Sequence, residues 1–447
     1  MRIFAAGNRR SAGQRHRARL EPIVTFALSH RQRLAAIATG SAGNLIEWFD
    51  FYIYAFTALY FAASFFPEGD QTAQLLQVAG IYAVGFLIRP VGGWYFGRFA
   101  DRHGRRAALV ASVLMMGAGS LLIATLPTYA SIGAWAPGLL LLARLLQGFS
   151  TGGQFGAAAT YLSEVAADAR RGFYASFLYV TLIAGQLCAL LTLVALQQFL
   201  DEAELRAWGW RVPFAIGACM ALIVLLLRNH LHETTDNKTT KSAEAGSLLA
   251  LLRHPKALFV VMSLTAGGGL CLYTFTTYMQ KFLVNSAGMD IKVTSNVMLA
   301  AMFGFMLLQP AMGALSDRIG RRKCLLLFSG LMTLSAVPIL TALSKVQDVG
   351  TAFLLVLAAL AILSLYTSIS GLFKAELFPQ HIRALGVGLA HSISIAIFGG
   401  SAEYIALFCK RAGQEQIYFW YVAAICAVAF FTALFMREPR RATMMDN

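Results

Sequence analysis

Four charged side chains sit in the middle of apolar runs, where charge is expensive. Glu47 and Asp50 lie in GNLIEWFDFYIY, Arg89 in GFLIRPVGGW, and Arg144 in LLLARLLQGFSTGGQFG. A charge at the centre of a membrane helix costs about 3 kcal/mol and is retained by a partner or a task. A spacing of three places Glu47 and Asp50 on one helical face. Carboxylates so placed can take up and release protons. A guanidinium such as Arg89 offers a planar fork matched to a substrate carboxylate. The plainer alternative stays open: Glu47 and Asp50 neutralise Arg89 or Arg144 as structural pairs. Gln147 and Gln154 follow Arg144 at helical spacing. Trp48, Phe49, Tyr52 and Tyr54 either line a cavity or pack.

The surrounding elements explain why those charges count as buried. The chain is 57% hydrophobic and 13% charged, with a mean hydropathy of +0.61. A soluble domain of this size carries about 25% charged residues. Runs of the roughly 20 apolar residues that cross a bilayer can be laid down twelve times: 34–62, 73–97, 107–127, 137–164, 172–199, 210–228, 257–284, 293–315, 323–344, 351–377, 383–409 and 417–437. The expected fold is all-α and integral to the membrane, twelve transmembrane helices in two six-helix bundles. The expected division is a basic arm over 1–33, a first bundle over 34–228, a linker over 229–256, a second bundle over 257–437 and a tail over 438–447.

A repeat supports the two sixes. GRFADRHGRR, Gly97 to Arg106, returns as GALSDRIGRR, Gly313 to Arg322, each in a short charged gap between apolar runs. A charged decapeptide recurring at about half the chain length marks two homologous bundles in tandem. The net charge of +15 gathers in the amino-terminal arm, these repeats and the region after the twelfth run. Pro67 to Thr72 and Pro127 to Pro137 carry no Lys or Arg. This positive-inside pattern puts both termini in the cytoplasm and leaves no basic domain for nucleic acid. The Arg-rich start lacks an apolar core before a small-residue site, so a cleaved secretory signal is not expected.

Other chemistry finds little support. The six cysteines form no CxxC pair, so neither a metal nor a disulfide is assigned. No nucleophile elbow, P-loop or His-Glu-x-x-His pattern is present, and no enzyme is expected. Lys281 is expected to snorkel to the headgroups. Lys374 and Glu376 are expected in a salt bridge near the end of the tenth span, and Glu403 is a reserve proton site. Gly148, Gly152, Gly153 and Gly156, with Gly92, Gly93 and Gly97, allow close helix approach, which serves sliding and rigid packing equally.

Gly97-x-x-x-Asp101-Arg102-x-Gly104-Arg105-Arg106 resembles the loop motif of the major facilitator superfamily, and Arg144-x-x-Gln147-Gly148 its helix-four motif. GNLIEWFDFY and Arg89-Pro90-x-Gly92-Gly93 are similar to the narrower metabolite:proton symporters, which include carriers of α-ketoglutarate, citrate, shikimate and proline/betaine. RRGFYASFLYVTLIAGQL, LYTFTTYMQKFLVNSAGM, LYTSISGLFKAELFPQHIRALGVGL and IFGGSAEYIAL resemble the α-ketoglutarate carriers of that group. The resemblance implies proton-coupled uptake of α-ketoglutarate or a related dicarboxylate across the cell inner membrane. Its alternative is symport of another small metabolite of the group.

Arg89, with Tyr52 and Tyr273, is the expected substrate-binding set, and Glu47, Asp50 and Arg144 the expected proton-coupling set; the resemblance implies a gating set as well. Asp101, Arg105, Glu164, Asp317, Arg321 and Glu376 gate the conformational change: each aspartate meets a helix amino-terminus of the other half, and the arginines bind the two glutamates. The coupling ion is the proton, with no metal or organic cofactor. The partners implied are a small anionic metabolite, protons and the bilayer, with the chain a monomer. The group usually writes Gly-Gly-Glu where this chain has Gly152-Gly153-Gln154, so coupling must rest elsewhere if that glutamate carries protons in relatives.

Overall fold

A computed structural model describes residues 30–67, 71–103, 105–165, 170–228, 247–379 and 382–438. Among these there is no strand. In the first half α1 is His30–Phe65, α2 is Gln71–Leu87 continued by Arg89–His103, and α3 is Arg105–Thr125. Next, α4 is Trp135–Val165, α5 is Arg171–Ala175 continued by Phe177–Phe199, and α6 is Arg211–Arg228. In the second half α7 runs through Pro255–Leu272, the π turn Tyr273–Tyr278 and Met279–Asn285; α8 is Ile291–Ile319 and α9 is Arg321–Leu343. Then α10 is Val349–Thr367 continued by Ser370–Glu376, α11 runs through Arg383–Ser394, the π turn Ile395–Gly399 and Ala402–Arg411, and α12 is Glu415–Phe435.

Eight of these, α2, α5 and α7–α12, are long and apolar enough to cross a membrane among the described residues. The remaining α1, α3, α4 and α6 complete the two sixes. The halves meet along α2 with α11 and along α8 with α5. Those pairs are equivalent under the repeat, because α8 repeats α2 and α11 repeats α5. Helix α4 also packs on α11, so this interface runs through the helices that carry the mid-span charges.

The structure redraws several sequence boundaries. The charged repeats are helical over most of their length: Asp101 lies within α2, and Asp317 within α8. In the second repeat Gly320, at φ +97°, turns the chain sharply into α9, in a region of backbone space that suits glycine. Helix α7 begins at Pro255, two residues before the expected span, since proline fits a first turn whose amides lack partners anyway. Most of the expected linker, 229–246, and residues 1–29 of the arm lie outside the described residues.

The expected tail begins with a structural contact. Glu438 accepts hydrogen bonds from the amides of Arg321 (2.8 Å) and Arg322 (3.2 Å), capping α9. Arg322 in turn donates to the carbonyls of Ala433 and Leu434 at the end of α12. Each helix end thereby supplies what the other lacks.

Candidate functional site

Arg89 is the first residue of the second segment of α2, and Pro90 follows it. A proline there cannot donate to the preceding turn, so the helix breaks at Ile88 and Arg89 is released from a regular register. Its guanidinium carbon lies 3.9 Å from the centre of the Phe86 ring, 4.2 Å from Phe51 and 5.7 Å from Trp48. The residue is 3% exposed, yet its Nε and Nη2 have no hydrogen-bond partner. Aromatic faces hold the charge by cation–π attraction and leave the fork free to donate.

Tyr52 of α1 and Tyr273 of α7 stand beside it. The Tyr273 hydroxyl is close to Arg89 but makes no well-formed hydrogen bond, and the Tyr52 hydroxyl is likewise unbonded. Tyr273 opens the π turn of α7, a local rewinding often found at functional sites. Its ring meets Phe86 edge-on at 5.1 Å, across the two halves. The three residues expected to bind substrate are therefore brought together.

The proton candidates divide. Arg144 Nη1 donates to Gln147 Oε1 (2.7 Å), Gln147 Nε2 to Ser120 Oγ (2.7 Å), and Ser120 Oγ to Asp50 Oδ2 (2.6 Å). Carboxylate and guanidinium are thus joined through a hydroxyl and an amide rather than as a direct pair. Asp50 is fully buried against α6, where a Cβ on Gly217 would stand 1.8 Å from Asp50 Oδ1. Glu47 is buried on the same helix at 3% exposure. Arg144 also lies over Tyr54 (4.4 Å) and Phe51 (4.9 Å), so the Phe51 ring is shared by both arginines. The side chain of Gln154 lies outside the described residues.

At the end of the bundle that carries the repeats, Asp317 Oδ1 accepts from the amide of Gly172 (2.8 Å) and Oδ2 from that of Phe173 (3.1 Å). A carboxylate of the second half so meets the amino-terminal turn of α5 in the first, where backbone amides favour negative charge. Arg321 stands 3.2 Å from Asp317 and 3.7 Å from Glu376. The side chains of Asp101, Arg105 and Glu164 lie outside the described residues. The glycines perform two tasks. Gly148 and Gly152 press α4 onto α2 within the first half; Gly156 faces Ala384 and Gly388 of α11 across the interface. Nearby, Ser392 Oγ of α11 donates to the carbonyl of Gly152 (3.2 Å).

Two lysines depart from expectation. Lys281 does not reach outward; it is 2% exposed and pairs with Glu403 of α11 at 2.5 Å. Lys374 is fully buried and makes no ion pair among the described residues, whereas Glu376 two positions on does face Arg321. The cause is directional: a helical side chain leans toward its own amino-terminus, so Lys374 reaches back one turn to Ser370 Oγ at 2.8 Å. Its second partner is His391 Nδ1 of α11 at 3.0 Å. His391 escaped the sequence reading; its only signal was a histidine inside an apolar run.

Helices in two repeated bundles, with unspent polar groups sealed where the bundles meet, define a membrane transporter that works between its halves. The Major Facilitator Superfamily profile matches residues 40–400 and 282–444, and the chain belongs to that family. The family consists of transporters, not enzymes, and requires no cofactor. The chain is 57% identical over 408 residues to the alpha-ketoglutarate permease of Escherichia coli (strain K12), covering 91% of this chain and 94% of that protein. It is 33% identical over 430 residues to the citrate-proton symporter of Klebsiella pneumoniae, covering 93% and 95%. Among solved structures, the partially occluded inward-open xylose transporter XylE from E. coli superposes with a TM-score of 0.72 at 16% identity, covering 91% of this chain and 98% of that one. That likeness shows the fold alone.

Proposed function

We propose that this chain carries α-ketoglutarate, or a closely related dicarboxylate, into the cell together with protons by alternating access. The observation that carries the reading is 57% identity along nine-tenths of the chain to an alpha-ketoglutarate permease. The site chemistry supports an anion: Arg89 is buried, held by aromatic faces, and has two donors unspent. A dianion entering a cell is opposed by about 2.3 kcal/mol per charge per 100 mV of inside-negative potential. Co-transport of protons offsets that cost, so a substrate-binding cation and a titrating acid belong in one protein.

In this reading Arg89, Tyr52 and Tyr273 hold the substrate, and Asp50 takes the proton, with Glu47 and Arg144 setting its surroundings. Asp317, Arg321 and Glu376 latch the repeat-bearing end when the site opens on the other side. Asp101, Arg105 and Glu164 are their counterparts in the first half. Rocking of one bundle against the other breaks and remakes these contacts, each worth about 1–3 kcal/mol. In this reading the protein is a monomer of the cell inner membrane, and the Lys and Arg distribution supports cytoplasmic termini and repeats.

The test is uptake of labelled α-ketoglutarate into proteoliposomes, with and without an imposed pH gradient, against unlabelled citrate, succinate and proline. Accumulation that needs the gradient, and that α-ketoglutarate competes for best, is expected. Gradient-driven uptake blocked better by citrate or proline would move the substrate elsewhere in the symporter group.

A further inference from the structure

A fully buried lysine without an acid is costly unless something supplies the negative charge. Lys374 is such a residue. Its ammonium donates to Ser370 Oγ at 2.8 Å and to His391 Nδ1 at 3.0 Å, which leaves one of its three protons without a hydrogen-bond acceptor among the described residues. An imidazole that accepts at Nδ1 carries its own proton on Nε2 and stays neutral, so it steers the lysine without cancelling it. The His391 ring lies on Phe155 of α4 at 3.6 Å, nearly parallel, so the group sits where the two halves meet. Lys374 itself is 5.0 Å from the Phe155 ring centre.

Arg89 approaches the same place from the first half: its carbonyl packs against Gly152 of α4, where a Cβ would stand 2.0 Å from it, and the Gly152 carbonyl accepts from Ser392, the neighbour of His391. Two buried cations, one from each bundle, therefore converge with donors to spare and, among the described residues, no carboxylate joined to Lys374. One cation suffices for a monoanion. Two, each on a different moving body, suit a ligand with negative charge at both ends.

We infer that Lys374, held by Ser370 and His391, is the second carboxylate-binding group of the site, so that a dicarboxylate bridges from Arg89 in the first half to Lys374 in the second. This rests on the dicarboxylate reading above and deepens it. It predicts selection against monocarboxylates, and coupling of substrate to closure, because only a bridging ligand draws the two bundles together.

The experiment measures inhibition of α-ketoglutarate uptake in proteoliposomes by unlabelled α-ketoglutarate and by 2-oxopentanoate, which has the same chain length and lacks the distal carboxylate. The wild type is expected to prefer the dicarboxylate by about 10–100-fold, the worth of one charge-assisted hydrogen bond. Lys374→Met, which removes a buried charge and keeps the volume, should bring that ratio to within a few-fold, while Lys374→Arg keeps most of it. An unchanged ratio in Lys374→Met overturns the assignment. Should that variant not fold, His391→Gln, which loosens one of the two tethers, is expected to narrow the ratio; the full wild-type ratio there is the overturning result. No α-ketoglutarate uptake by the wild type would remove the dicarboxylate reading and this inference with it. Wild-type uptake with an unaltered ratio in the variants removes this inference only.

Discussion

In the amino-terminal bundle Asp50 and Arg144 are kept apart and joined through Ser120 and Gln147, whereas in the carboxy-terminal bundle Lys281 and Glu403 meet directly at 2.5 Å. The two arrangements respond differently to a proton. A carboxylate that accepts from a hydroxyl can be neutralised while the hydroxyl turns to another acceptor, and the helices stay packed. A buried direct pair has no such freedom, because removing either charge strands the other. The duplicated bundles have thus separated two duties. One holds charge in a form that can change, and the other uses it as a fixed tie between α7 and α11.

The most severe test of that contrast is Asp50→Asn. Ser120 can still donate to the amide oxygen, so the bundle is expected to fold with little loss. Accumulation driven by a pH gradient should vanish, while exchange of external for internal substrate persists. Parallel measurement of both fluxes decides it. Normal pH-driven accumulation in Asp50→Asn and in Glu47→Gln would move the proton site out of the first helix, with Glu164 or Glu403 next.

Lys281→Met tests the other side. Truncating one member of a buried pair is expected to cost about 3–5 kcal/mol of stability. The double variant Lys281→Met with Glu403→Leu should recover most of it, since no charge is then left alone. Thermal unfolding in detergent reads both. Equal losses in the single and double variants would mean that the pair is not a tie, and the division of duties between the halves fails.

Arg89→Lys probes the cation proposed to face the substrate. It keeps the charge but loses the fork, so apparent affinity is expected to fall about 10–100-fold, the worth of one charged hydrogen bond. Protein yield and melting temperature should hardly move. Near-normal uptake at limiting substrate would return Arg89 to a structural role.

Some of this was legible in the sequence and some was not, for physical reasons. The repeated decapeptide and the twelve apolar runs give the two bundles directly, because hydropathy and repetition are local signals. Arg89, Asp50 and Arg144 stand out because charge within an apolar run needs no partner to be noticed. Which way each side chain faces is not local. Lys281 finds Glu403 far along the chain, and Lys374 turns back along its helix to Ser370 while Glu376 turns to Arg321. A span has two ends and every azimuth, and the sequence gives neither depth nor rotation. That is why one lysine was assigned to the headgroups and the other to the gate. The Asp50 relay was hidden for the same reason: Ser120 is an ordinary residue until α3 places it 2.6 Å from a carboxylate.

The smallest expected effect concerns the latch, where the halves act on each other and not within themselves. Asp317 spans the interface by accepting from the amides of Gly172 and Phe173, and it also stands 3.2 Å from Arg321. Asp317→Asn keeps an acceptor of the same shape and removes the charge. A carboxylate at a helix amino-terminus is worth about 0.3–2 kcal/mol, so the closed state at this end should lose a few-fold in population, up to about 30-fold. Arg321 would retain Glu376, at 3.7 Å, which limits the damage. The proposed substrate site lies elsewhere in the interface, so equilibrium binding should stay within a few-fold while turnover falls. Binding of labelled substrate in detergent, set beside uptake in proteoliposomes, separates the two quantities. A defect confined to affinity, with turnover at saturation unchanged, would show that Asp317 acts on the site and not on the latch, and the repeat would then need another explanation.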